Sequence, residues 1–161
     1  MKIVCVLLFG LLMTPYSYGF SCEQARSHFE YSGLIADRNI ENFGDKRFEH
    51  VVNFRNKYGD IDVLAEGLLT DFNVDLINSI KLDYNAYFLS HIVMYEKESK
   101  LIEMLLNNGF NPFSKSRYFN APVIEAILNY DNRTLNIIIS KTDGLDNKTI
   151  YFLEGYIENC H

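Results

Sequence analysis

Leu101-Ile102-Glu103-Met104-Leu105-Leu106-Asn107-Asn108-Gly109-Phe110-Asn111-Pro112 is the stretch on which the fold turns. Leu101, Ile102, Leu105 and Leu106 recur at helical spacing and predict one apolar face. The run halts at Asn107-Asn108-Gly109, where glycine suits the left-handed residue that closes a helix and where a side chain would clash. A helix this short is marginal by itself, so its face predicts a neighbouring helix to pack on.

That neighbour lies upstream, and it occurs twice. Tyr84-Asn85-Ala86-Tyr87-Phe88-Leu89-Ser90-His91-Ile92-Val93-Met94-Tyr95 aligns with Phe119-Asn120-Ala121-Pro122-Val123-Ile124-Glu125-Ala126-Ile127-Leu128-Asn129-Tyr130 at a period of roughly 35 residues, within the range of helical repeats. Each block is followed by a polar stretch and a second apolar run, the one quoted above and Leu135-Asn136-Ile137-Ile138-Ile139, which ends near Gly144. The unit reads as helix, tight turn, helix, loop. Phe88, Ile92, Leu101 and Leu105 would lean on Val123, Ile127, Leu135 and Ile138 in one continuous core, so the predicted class is all-α.

These residues resemble an ankyrin repeat. Ala121-Pro122-Val123-Ile124-Glu125-Ala126-Ile127 looks like the T-P-L-H-x-A-A opening of the family's first helix, with Pro122 in the first turn. The stretch from Leu101 to Pro112 is similar to its V-V-K-L-L-L-x-x-G-A-D-x ending. The chain departs from the pattern at Leu89 and Ile124, which stand in the histidine position, and at Tyr95 and Tyr130, which replace the inter-helix glycine. Glu96 to Lys100 also lengthens the first link. The resemblance covers residues 84–147 and implies a short ankyrin-like helix-turn-helix repeat solenoid with capping helices at both ends. It also implies a partner-binding surface, with Lys115, Arg117 and Tyr118 on the loop tips and Ser90, Met94, Glu125 and Asn129 along the groove of the first helices.

Working outward from repeats 84–117 and 119–147, residues 45–82 read as a degenerate unit. Its first helix spans Lys46 to Lys57, with Phe48, Val51, Val52 and Phe54 on an apolar side, and its second half spans Gly59 to Leu69. Residues 22–44 read as an N-terminal cap, with a helix from Cys22 to Ala36 started by Ser21, and residues 148–161 as a C-terminal cap with a helix from Thr149 to Ile157. Residues 20–161 therefore form a single predicted domain.

Lys2, the apolar run Ile3 to Met13, Pro15 and the small residues Ser17 and Gly19 predict a signal peptide over residues 1–19, cut before Phe20. The apolar run falls short of the roughly 20 residues of a spanning helix. The expected product is exported, to the periplasm if bacterial and otherwise secreted, with no transmembrane segment. Cys5 leaves with the leader, and Cys22 and Cys160 remain as an expected disulfide. The alternative is a lipoprotein acylated at Cys22. A linear stack separates its ends, whereas a disulfide needs Cα atoms roughly 4.4 to 6.8 Å apart, so pairing these cysteines requires the terminal segments to fold back.

A net charge of −6 argues against a nucleic-acid partner. The cysteines and His28, His50, His91 and His161 have no metal-ligand spacing, so no metal and no cofactor are expected. Asp60-Ile61-Asp62 and Asp143-Gly144-Leu145-Asp146-Asn147 read as helix starts and turns. No nucleophile elbow, phosphate loop or zinc-protease motif is present, and Ser90 and His91, consecutive on a helix, point apart. The expected function is binding to another protein without turnover. For a small, acidic, exported chain, the analogy is with immunity proteins that neutralise a toxin in the periplasm, negative charge steering the chain onto a basic toxin. The alternatives are a structural or assembly partner of another envelope protein and a small secreted hydrolase built from dispersed residues.

Overall fold

A computed structural model describes residues 20–96 and 98–160, so the predicted leader, residues 1–19, lies outside the described residues. The described chain is all-α, with helices α1 (Cys22–Tyr31), α2 (Phe43–Tyr58), α3 (Ile61–Thr70), α4 (Val74–His91), α5 (Ser99–Asn107), α6 (Pro122–Leu128), α7 (Asn132–Lys141) and α8 (Asn147–Asn159). A π-helical segment, Ile92–Glu96, continues α4, and no strand forms among the described residues.

Short polar side chains set where the helices begin. Ser21, as expected, accepts the Gln24 N–H at the start of α1. Asp60 caps α3, and Asp146 accepts from both Lys148 and Thr149 at the start of α8, so both acids serve the helix-start role read from the sequence. Asn73 caps α4 and Asp131 caps α7, whereas α6 begins with Pro122, whose missing N–H has no partner to lose. Gly109 and Gly144 both take left-handed backbone, with φ of 81° and 75°.

In the packing, α3 lies on α5, α5 on α7 and α7 on α8, while the end of α4 and the π-helical segment lie on α6. Phe88, Ile92, Leu101, Leu105, Val123, Ile127, Leu135 and Ile138 share one apolar core. Within the two aligned blocks Ala86 and Ala121, Tyr87 and Pro122, Phe88 and Val123, Leu89 and Ile124, and Ile92 and Ile127 are buried in both, whereas Val93 is buried and its counterpart Leu128 is exposed, and Ser90 is buried where Glu125 is half-buried.

Three features depart from the sequence reading. First, α1 ends at Tyr31 and does not run to Ala36, whereas the boundary read at residues 82–84 falls at a break in α4, where Tyr84 (φ −136°, ψ 23°) is non-helical. Within the apolar side expected of α2, only Phe54 is buried, and Phe48 is 69% exposed. Finally, α1 packs at the far end of the molecule, against α8 and α6, where Ala25 and Phe29 are buried and Phe29 meets Phe152 edge-on.

This last placement lets the two cysteines pair. Cys22 and Cys160 have sulfurs 2.06 Å and Cα atoms 5.8 Å apart. Helices α6, α7, α8 and α1 close into a ring, each touching the next. From α1 the chain returns along residues 32–42 as a strap. The Ala121 N–H donates to the Leu34 carbonyl at 2.8 Å, the Ala36 N–H to Asn120 Oδ1 at 2.9 Å, and Lys115 Nζ to the Ile35 carbonyl at 3.0 Å. The strap delivers α2 to the opposite side of α6, against the kinked part of α4.

Candidate functional site

Helix α2 carries two side-chain stripes. His50, Phe54 and Tyr58 face α4: the Phe54 ring centroid lies 5.2 Å from Tyr84 and 5.1 Å from Tyr87, and the Tyr58 hydroxyl is 2.8 Å from Ser79 Oγ. Gly44, Arg47, Phe48 and Val51, spaced one and two turns apart on the neighbouring side, form one wall of a cleft of about 530 Å³. His91 at the end of α4, with Met94 and Tyr95 of the π-helical segment, lines the cleft opposite them, and Phe119 and Glu125 complete it. A smaller recess of about 200 Å³ adjoins it, lined in addition by Arg38, Phe43 and Leu128.

The π-helical segment explains why Met94 and Tyr95 are there. A wider turn accommodates an extra residue without ending the helix, and such turns recur at functional sites. Here it carries Tyr95, 66% exposed, out beyond the packed end of α4. Phe48 and Tyr95 are thus two large, solvent-facing rings on the walls of one cleft.

The cleft's charge is set by three residues. Arg47 lies with its guanidinium 4.9 Å from the Phe119 ring centroid, a cation–π contact, and Arg38 stands in the adjoining recess. Glu125 is half-buried and receives a hydrogen bond from Asn120 Nδ2 at 2.8 Å. Burial pushes its carboxyl above the ordinary carboxylate range, against the pull of that hydrogen bond and of the Arg47 and Arg38 charges. Among the described residues neither arginine makes an ion pair. At the rim, His91 Nε2 lies 2.8 Å from Asp62 Oδ1 and ties α3 to the end of α4.

Behind the cleft, His50 fills an aromatic box. Its ring centroid is 4.8 Å from Tyr84, 5.7 Å from Tyr87, 6.0 Å from Tyr118 and 5.4 Å from Phe119. Its Nε2 is buried with no hydrogen-bond partner, and burial holds the imidazole below its usual value. In the neutral form it packs as one more ring between α2 and α4.

The structure divides the residues expected at the binding surface. Met94 and Glu125 line the cleft. Ser90 lines the cleft as well, 2% exposed, with its Oγ donating to the Asn120 carbonyl at 2.9 Å. Asn129 ends α6, exposed, with Nδ2 donating to the Glu125 carbonyl. Lys115 and Arg117 are exposed on the loop tip, Lys115 holding the strap, whereas Tyr118 is half-buried against Phe43 and His50. Sequence reasoning missed Arg38, Arg47, Phe48 and Tyr95. The signal for two of these, Arg47 and Phe48, was the spacing of Gly44, Arg47, Phe48 and Val51, a second stripe on a helix whose apolar residues read as a single core side. Comparison of the chain with known protein families, curated proteins and solved structures finds no match.

Proposed function

We propose that the chain is a non-catalytic protein-binding module, exported and built as a short ankyrin-like stack of helix pairs, with the cleft between α2 and the π-helical segment as its binding face. The positions buried in both aligned blocks, Phe88 with Val123 and Ile92 with Ile127 among them, support the stacked-repeat reading, and left-handed glycines after α5 and α7 are in keeping with it. The observation that carries the functional reading is the pair of exposed rings, Phe48 at 69% and Tyr95 at 66%, on a cleft that offers apolar wall and arginine together. Aromatic and arginine side chains around a concave apolar centre are what interface hot spots are made of. His91 and Asp62 sit at the rim, but the adjacent hydroxyl, Ser90, is turned into the protein toward Asn120. Within this reading, an immunity-type role against a basic toxin accords with the chain's charge of −6.

The test is site-specific photocrosslinking in an extract of the source cells, with a photoreactive phenylalanine in place of Phe48 and, as control, of Val63, which is equally exposed but lines a different surface. A discrete protein adduct at position 48 and none at 63 is the expected result. Equal labelling at both positions, or none at either, would overturn the assignment. For the immunity reading, the partner so identified should be a cationic toxin whose activity the chain suppresses.

A further inference from the structure

We infer that the cleft receives an apolar side chain flanked by carboxylates, presented by a segment of a partner protein whose surrounding surface is basic. The inference rests on the protein-binding reading above and names the chemistry of what binds.

Charge carries it. The chain holds 21 acidic against 15 basic residues, yet two arginines without ion-pair partners among the described residues, Arg38 and Arg47, stand together at the apolar cleft. The one carboxyl lining the same recess, Glu125, is half-buried, accepts from Asn120 and forms an ion pair with neither arginine. Covering the cleft therefore strips water from two cations against a single acid that is paired with neither. A covering surface without carboxylates would leave the guanidinium groups buried and unpaired, which is strongly unfavourable.

Shape supplies the rest. Phe48 and Val51 on one wall and Met94 and Tyr95 on the other leave room for a large apolar side chain between them, with Phe119 beneath. Arg47 is already oriented by its contact with that ring, so its fork needs little reordering to accept a carboxylate. A second copy of this chain is the wrong occupant, because bringing two bodies of charge −6 together opposes association. A cationic protein is attracted by the whole surface, and only at this cleft must it present acid. The partner's charge pattern is the mirror image of this chain's: an acidic spot on a basic body.

The chain contains no tryptophan, so a tryptophan-bearing peptide reports binding without background. Three acetylated, amidated hexapeptides with a Trp-Leu centre flanked by aspartates, by asparagines or by lysines are titrated by fluorescence against the intact, oxidised chain at low salt. The aspartate peptide should bind about tenfold more tightly than the asparagine one, a difference of one charge-assisted contact, with the lysine peptide weakest. R38Q/R47Q, altering two exposed side chains, should erase the order, and F48A should weaken the aspartate peptide about tenfold, as loss of a buried ring requires. Equal binding of all three peptides, still lost in F48A, overturns the carboxylate inference and leaves the protein-binding cleft standing. A preference for the lysine peptide does the same. No binding by any peptide overturns the carboxylate inference, and if position 48 also yields no discrete photocrosslinked partner the protein-binding reading falls with it. A dimer in sedimentation that F48A dissociates makes the occupant a second copy and overturns the inference.

Discussion

The helix pair formed by the end of α4 with α5 and the pair formed by α6 with α7 share a set of buried positions and are joined in opposite ways. The second pair turns tightly: Tyr130 adopts φ +52°, doing with a tyrosine what a glycine does without strain, and Asp131 at once caps α7. Among the described residues the first pair shows no such turn. It runs on through a π-helical segment to Glu96 and restarts at Glu98, which caps α5. Packing inside the pairs is thus indifferent to how they are connected, while everything facing solvent at the connection differs. The tight turn leaves Tyr130 stacked near Tyr156, and the wide one places Met94 and Tyr95 on the cleft. The core specifies the architecture, and the link specifies what the architecture can hold.

The most severe way to break this comparison is to remove equivalent core residues. Ile92→Ala and Ile127→Ala each delete a fully buried side chain, and each should destabilise by about 3 kcal/mol in denaturant unfolding. Losses that differ by more than about 1.5 kcal/mol would show that the two sites are not equivalent. A smaller effect comes from acid. His50 has a folded value below its unfolded one, so the unfolded chain takes up the proton first. Its contribution is complete above about pH 6.5 and is lost as pH falls below that value. Thermal melts at pH 7.5 and 5.0 should show a drop that H50F, which keeps a ring in the box, reduces. His28 on α1, lowered by burial and by Lys148, adds a drop of the same sign that H50F leaves in place. An unchanged pH profile in H50F would mean that the box does not depend on neutral imidazole.

The smallest effects have opposite signs. Tyr130→Gly relieves left-handed strain of about 1–2 kcal/mol and loses an exposed ring contact, so it should stabilise by about 0.5–1 kcal/mol. Tyr95→Gly puts glycine into helical backbone and should destabilise by about 1 kcal/mol. Equal shifts in melting temperature would show that the two links are not conformationally distinct.

Local chemistry was legible in the sequence wherever one residue decides one conformation. Ser21, Asp60 and Asp146 as caps, Pro122 in a first turn and Gly109 as a helix stop all sit where their chemistry predicts, whereas Gly144 lies in the turn beyond Thr142, the extended cap of α7. The aligned blocks likewise revealed their core positions, because periodic burial leaves a periodic pattern. What stayed hidden is set by contacts distant in the chain. Nothing near Phe48 says that α2 will spend its buried side on His50 and Phe54, and nothing near Cys22 says that α1 will cross to α8. The cysteines did announce that the ends must meet, without indicating which segment would travel. The cleft was only half visible for the same reason: Met94 and Glu125 lie on the patterned blocks, whereas Arg38 and Arg47 arrive on a strap and a helix whose path is determined elsewhere.

The docking of α1 against α8 orders events in time. A ribosome makes α1 early, but the surface that shelters Phe29 and the sulfur that captures Cys22 are encoded 138 residues further on. Until then α1 has no permanent place, and the strap that positions α2 is slack at one end. Final assembly of the cleft therefore waits on the slow closure of a long loop. A nascent or reduced chain would form its helix pairs before it completes the cleft.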